Sequence, residues 1–165
     1  MKIESLNELY LDLLRDLYNA EMQLTKALPK MAEESTNAQL KAAFQSHLRE
    51  TETHVQRLEK IFEELEEKPS GETCEAMQGL VKEGKEAISA KMPEAIKDAA
   101  LICAAQKVEH YEIASYGTAA KYAQLLGMND QAELLKQTLD EEKAADQKLT
   151  NLAESTINQE ALAAA

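Results

Sequence analysis

The chain has 165 residues, 44% of them hydrophobic and only 4% aromatic, with no Trp, five Gly and three Pro. Ala, Leu, Glu, Lys and Gln dominate, so one all-α domain over residues 1–165 is the expectation. A formal net charge of −12 excludes a phosphate-binding or anionic-membrane surface, and the absence of an apolar leader or a membrane-length run predicts a cytoplasmic protein.

Taken in chain order, Ser5-Leu6-Asn7-Glu8 has the pattern of a capping box that opens a first helix. Its apolar stripe runs Leu6, Leu9/Tyr10, Leu13, Leu17, Leu24, Leu28, Met31, with Pro29 near the end as a possible kink. Thr36-Asn37-Ala38-Gln39 starts a second helix with Leu40, Ala43/Phe44, Leu48, Val55, Leu58, Ile61/Phe62 and Leu65 on its stripe. Lys68-Pro69-Ser70-Gly71 follows its acidic end. A short helix over about Thr73 to Ile88 carries the chain back across the bundle. Pro93 opens a third long helix along Ile96, Ala99/Ala100, Ile102/Cys103, Ile113, Tyr116, Ala120, Ala123 and Leu126, and Gly127 stops it. Asn129 or Asp130 caps a fourth, with Leu134/Leu135, Leu139, Leu149 and Leu152/Ala153. The tail from about Ser155 to Ala165 has little to bury and is expected to fray. Four long helices with a long crossover between the second and third make a four-helix bundle. Cys74 and Cys103 form no CxxC pair, which excludes zinc-ribbon and rubredoxin-like sites, and Cys103 reads as a small core residue.

Acids interrupt the apolar stripes. Glu21 lies between Leu17 and Leu24 on the face of the first helix, one turn after Tyr18. On the second helix, Ala43, His47, Glu50 and His54 follow one line along the flank of the stripe. On the third, Glu109 and Glu112 are one turn apart and continue toward Tyr116; on the fourth, Leu139, Glu142, Asp146 and Leu149 share one line. Glu21 and Glu50 are 29 residues apart, Glu112 and Glu142 are 30 apart. Two hairpins of matching length thus place one acid per helix at one height. A buried unpaired carboxylate costs several kcal/mol, and five or six in one layer exceed the roughly 5–15 kcal/mol that holds a domain folded. Metal ions are the economical counter-charge, and an oxygen-rich site suits iron or manganese. The candidate ligands are Glu21, Glu50, Glu109, Glu112, Glu142, Asp146 and His54, with Tyr18 and Tyr116 behind them. His54 follows Glu50 by four rather than three residues, and stands either as a ligand or as a hydrogen-bonded flank. His47 and His110 read as non-ligands, and Glu63, Glu64, Glu66, Glu67 and Glu141 as solvated charge.

The stretches Tyr18–Leu24, His47–Thr51, Ala104–Gly117 and Glu141–Asp146 resemble the bacterial YciE/YciF family, and within it YciF more closely. The resemblance implies a ferritin-like fold, a homodimer and a stress-associated role. Rubrerythrins of the wider group hold di-iron with an acid on helix 1, Glu-x-x-His on helix 2, Glu-x-x-Glu on helix 3 and an acid plus histidine on helix 4. Glu21, Glu50, Glu112 and Glu142 match the four principal acids and Glu109 the extra glutamate. Asp146 falls where a histidine is usual, and Thr53 stands at the second-helix histidine position. Two readings follow. The first is a carboxylate-rich di-metal protein, with iron or manganese, that handles O2, peroxide or Fe(II). The second is a non-catalytic acidic bundle with a vestigial or structural site.

Overall fold

A computed structural model describes residues 2–71 and 73–164. Its elements are α1 (Leu6–Glu34), α2 (Ala38–Glu64), α3 (Glu75–Ser89), α4 (Glu94–Leu125), α5 (Asn129–Leu152), a π-helical turn (Ala153–Ile157) and α6 (Asn158–Ala163). No strand occurs among the described residues, and no described helix is long and apolar enough to cross a membrane. α1 packs on α2 and α4 on α5; the two hairpins pack through α1 against α4 and α2 against α5, and α3 lies across α1 and α4. This is the four-helix bundle of the ferritin-like type, with its long crossover between α2 and α4.

Local chemistry sets the helix ends. Ser5 Oγ accepts from the Glu8 amide, while the Glu8 carboxylate accepts from Glu4 N–H, one residue outside the expected box. Asn37 Oδ1 accepts from the Gln39 and Leu40 amides and caps α2. α2 ends with Glu66 in the left-handed region (φ 55°), a conformation more usual for Gly, and α4 ends at Gly127 (φ 78°). Pro29 is exposed and α1 continues past it to Glu34.

Three sequence expectations change. The tail is helical, because the π-turn keeps the chain on α4 and buries Ile157. Cys103 is exposed and Cys74 is the buried cysteine. α4 is apolar on more than one face because α3 and α6 cover it, so Leu101, Ala104, Ala105 and Val108 are buried beside the predicted stripe and Cys103 turns outward. Cys74 caps α3: its N–H donates to Asn19 Oδ1 (2.9 Å), and its thiol and the Tyr111 hydroxyl both bond Asp16. These contacts clamp the crossover onto α1 and α4.

The buried residues form two apolar clusters. One holds Leu24, Leu28, Leu40, Phe44, Leu101 and Leu149; the other holds Tyr10, Leu14, Leu17, Leu58, Phe62 and Leu135. Between these two sets lie the buried acids Glu21 on α1, Glu109 and Glu112 on α4 and Glu142 on α5, and on α2 the buried His47, Thr51 and His54. Helix direction is pinned at both ends of the bundle. Near the start of α4, Asp98 accepts from Thr36 N–H (2.9 Å), Thr36 Oγ1 (2.7 Å) and Asn37 N–H (2.8 Å) beyond the end of α1. At the other end, Tyr10 OH donates to Gln131 of α5. α4 therefore runs antiparallel to α1. Asp98 is 2% exposed, so Asp98→Ala is expected to lower the unfolding free energy by about 2–3 kcal/mol, as loss of a charged acceptor does, measured by urea denaturation.

Candidate metal centre

One polar layer crosses the bundle. α1 supplies Glu21, α2 supplies His47, Thr51 and His54, α4 supplies Glu109 and Glu112, and α5 supplies Glu142; all are buried. The helical period explains the register: His47, Thr51 and His54 lie at i, i+4 and i+7 on the inward face of α2, and Glu109 and Glu112 lie one turn apart on α4.

The layer divides into two groups that share Glu142. Ligand atoms of His47, Glu109, Glu112 and Glu142 lie within 4.8 Å of one another, and so do those of Glu21, His54 and Glu142. The two oxygens of Glu142 face different histidines. Oε1 is 2.9 Å from His54 Nδ1, and Oε2 is 3.7 Å from His47 Nε2. His47 Nε2 also lies 3.2 Å from Glu109 Oε1, and His54 Nδ1 lies 3.3 Å from Glu21 Oε1. Despite these short separations, neither inner nitrogen is placed to donate a hydrogen bond. Nine buried side-chain atoms of this layer have no hydrogen-bond partner: Glu21 Oε2, His47 Nε2, Thr51 Oγ1, His54 Nδ1, Glu109 Oε2, and both carboxylate oxygens of Glu112 and Glu142. Buried polar groups are otherwise paired almost throughout proteins, and all of these but Thr51 belong to residues of the two ligand groups.

Each histidine is held from outside by a carboxylate nearer the surface. His54 Nε2 bonds Glu141 Oε2 at 2.9 Å, and Glu141 is fixed in turn by Arg57. With its Nε2–H donated outward, His54 presents Nδ1 inward. His47 Nδ1 lies 3.4 Å from Glu50 Oε2 and presents Nε2 inward. A carboxylate on the outer nitrogen that aims the inner one is the arrangement that orients metal-binding histidines. Tyr116 OH donates to Glu21 Oε1 at 2.5 Å.

Several candidates sit differently from the sequence expectation. Glu50 is 44% exposed and belongs to neither ligand group; α2 is rotated so that its histidines, not Glu50, point inward. His47, read as a non-ligand, is in the layer. Glu141, read as solvated charge, positions His54. Asp146 is turned away and bonds Gln106 and His110. Tyr18 bonds Glu59 on the exposed side and does not reach the acids. Thr53 is exposed, so no residue at that position could face the site. The spacing of seven between His47 and His54 carried the signal for His47. Nothing comparable marked Glu141.

Burial raises the pKa of Glu112 well above the carboxylate range, and the charges of Glu142, Glu21 and Glu109 add to it. Burial also raises Glu21 and Glu142, against the opposing pull of His54. Burial would lower His54, but its contacts with Glu142 and Glu21 outweigh it and push the value up to about 10. His47 is raised the same way, chiefly by Glu109. The hydrogen bond from His47 lowers Glu50, and that from Arg57 lowers Glu141.

Without metal, then, the folded layer binds more protons than the unfolded chain from the ordinary carboxylate pKa near 4.5 up to about pH 10. The acids add destabilisation as pH rises above 4.5, and the histidines lose their stabilising proton toward 10. Chelator-treated protein is expected to show a falling Tm from pH 5 to pH 9, and Glu112→Gln to flatten that fall, by calorimetry across the pH series.

The family model described as "Domain of unknown function (DUF892)" matches residues 5–162. Protein YciF of Escherichia coli (strain K12) is 47% identical over 162 residues, covering 98% of each chain. The crystal structure of that E. coli stress protein superposes with a TM-score of 0.91 over 94% of this chain and 99% of its own. YcfI of Rhodopseudomonas palustris, named as a proposed structural protein, is 46% identical with a TM-score of 0.87, covering 90% of this chain and 95% of its own.

Proposed function

Taking as premise that the chain belongs to the DUF892 family, we propose that it is a stress-associated di-metal protein whose centre takes two divalent ions, iron first and manganese as the alternative, and acts on O2, peroxide or Fe(II). The observation that carries this reading is the set of nine buried side-chain donor and acceptor atoms without a hydrogen-bond partner, eight of them on the residues of the two ligand groups. The donor set fits. Four carboxylates, Glu21, Glu109, Glu112 and Glu142, balance the charge of two divalent ions, and two neutral histidines complete the set. Oxygen-rich ligands with some imidazole suit iron and manganese.

His47, Glu109 and Glu112 would hold one ion, Glu21 and His54 the other, with Glu142 between them. An iron pair there supplies one-electron redox steps and Lewis acidity. The chain's own residues do the rest. Glu141 and Glu50 fix the histidine tautomers. Tyr116 orients Glu21. The Thr51 hydroxyl offers a proton donor inside the layer. The two apolar clusters keep bulk water from either side, which strengthens every charge interaction between them.

The competing reading is a non-catalytic structural bundle, which the description of the R. palustris relative favours. Elemental analysis separates the two. Protein purified without chelator or metal-affinity tag from iron-supplemented cells is expected to carry near two equivalents of iron or manganese, and Glu112→Gln/Glu142→Gln to carry none and to lose peroxide consumption. Wild-type protein that is metal-free and takes up no Fe(II) anaerobically would leave the structural reading standing.

A further inference from the structure

We infer that the two halves of the centre exchange with solvent at different rates: the half of His47, Glu109 and Glu112 takes and releases its divalent cation through an opening between α2 and α5, while the half of Glu21 and His54 keeps its cation behind closed packing. The inference deepens the two-metal reading and rests on it.

A cavity of about 140 Å³ lies between α2 and α5. Its walls include His47 and Glu109 but neither Glu21 nor His54. Ala43, Ala144 and Ala145 line it, and these side chains are too small to fill it. Glu50, nearly half exposed, stands on its rim with Lys148. The space is smaller than the roughly 300–1,000 Å³ pockets that take drug-sized ligands, so the opening suits an ion with a few waters rather than an organic substrate. Lys148 opposes a cation there; Glu50 and Glu141 on the same walls, and a chain charge of −12, outweigh it.

The other half is shut. Glu21 and His54 are 0% exposed. Tyr116 covers Glu21 with its hydroxyl, and the Glu141–Arg57 ion pair covers the outer nitrogen of His54. An ion between Glu21 and His54 leaves only when packed side chains move, or by way of the neighbouring position across Glu142. Glu142 gives one oxygen toward each histidine, so the shared ligand does not favour either half. The asymmetry comes from the walls.

The test is release of metal from the full-length protein loaded with Mn(II). Excess EDTA is added, and the manganese left on the protein is followed by elemental analysis. The expected result is two phases of one equivalent each, separated by about tenfold or more in rate, a barrier difference near 1.4 kcal/mol. Ala145→Phe is expected to slow the fast phase and leave the slow one unchanged. Lys148→Gln, which removes the opposing charge from the cavity wall, is expected to keep both equivalents and speed the fast phase. Two bound equivalents leaving in a single phase, or a fast phase indifferent to both substitutions, would overturn the asymmetry while leaving the two-metal reading intact. A wild-type chain that binds no Mn(II) or Fe(II) would overturn both.

Discussion

Four carboxylates in one buried layer repel one another, and the rest of the molecule is arranged around that repulsion. Among the described residues no Lys or Arg enters the layer, and protonating both of its histidines still leaves the acids in excess. A protein with a stability of about 5–15 kcal/mol cannot carry several uncompensated buried charges, so the layer is either protonated or bridged by ions. The oxygens and inward imidazole nitrogens without a hydrogen-bond partner are the atoms that the proposed ions would bind.

The fold supplies the rigidity that such a layer needs. Apolar clusters above and below the acids hold the four long helices in register. Asp98 ties the start of α4 to the α1–α2 turn, and Cys74 with Asn19 and Asp16 ties the crossover to α1. Neither tie touches the centre, but each limits the sliding of one hairpin against the other. Sliding by a single turn would separate Glu142 from one of its two histidines.

The bundle, its crossover and most of the layer were legible in the sequence, because amphipathic helices broken by acids at matching heights leave few alternatives. Glu21, Glu109, Glu112 and Glu142 stand out as charges on apolar faces. The rotation of α2 was not legible. Ala43, His47, Glu50 and His54 form one continuous line, and a shift of a fraction of a turn decides whether Glu50 or the histidines face inward. Long-range packing makes that choice, since Phe44, Leu58 and Phe62 all enter the core on the histidine side. Asp146 and Tyr18 were misplaced for the same reason: each lies on an apolar-looking line, but tertiary partners, Gln106 for one and Glu59 for the other, hold it aside. Glu141 sits beside the conspicuous Glu142 and has no periodic signature, since its role depends on Arg57 and His54 from another helix.

The most direct test of the account is anomalous diffraction, at the iron or manganese edge, from crystals grown with Fe(II) under anaerobic conditions or with Mn(II). Two peaks are expected within the layer, one among His47, Glu109, Glu112 and Glu142, the other among Glu21, His54 and Glu142. A layer without a peak, or metal bound only at outer acids such as Asp146 beside His110, would contradict it.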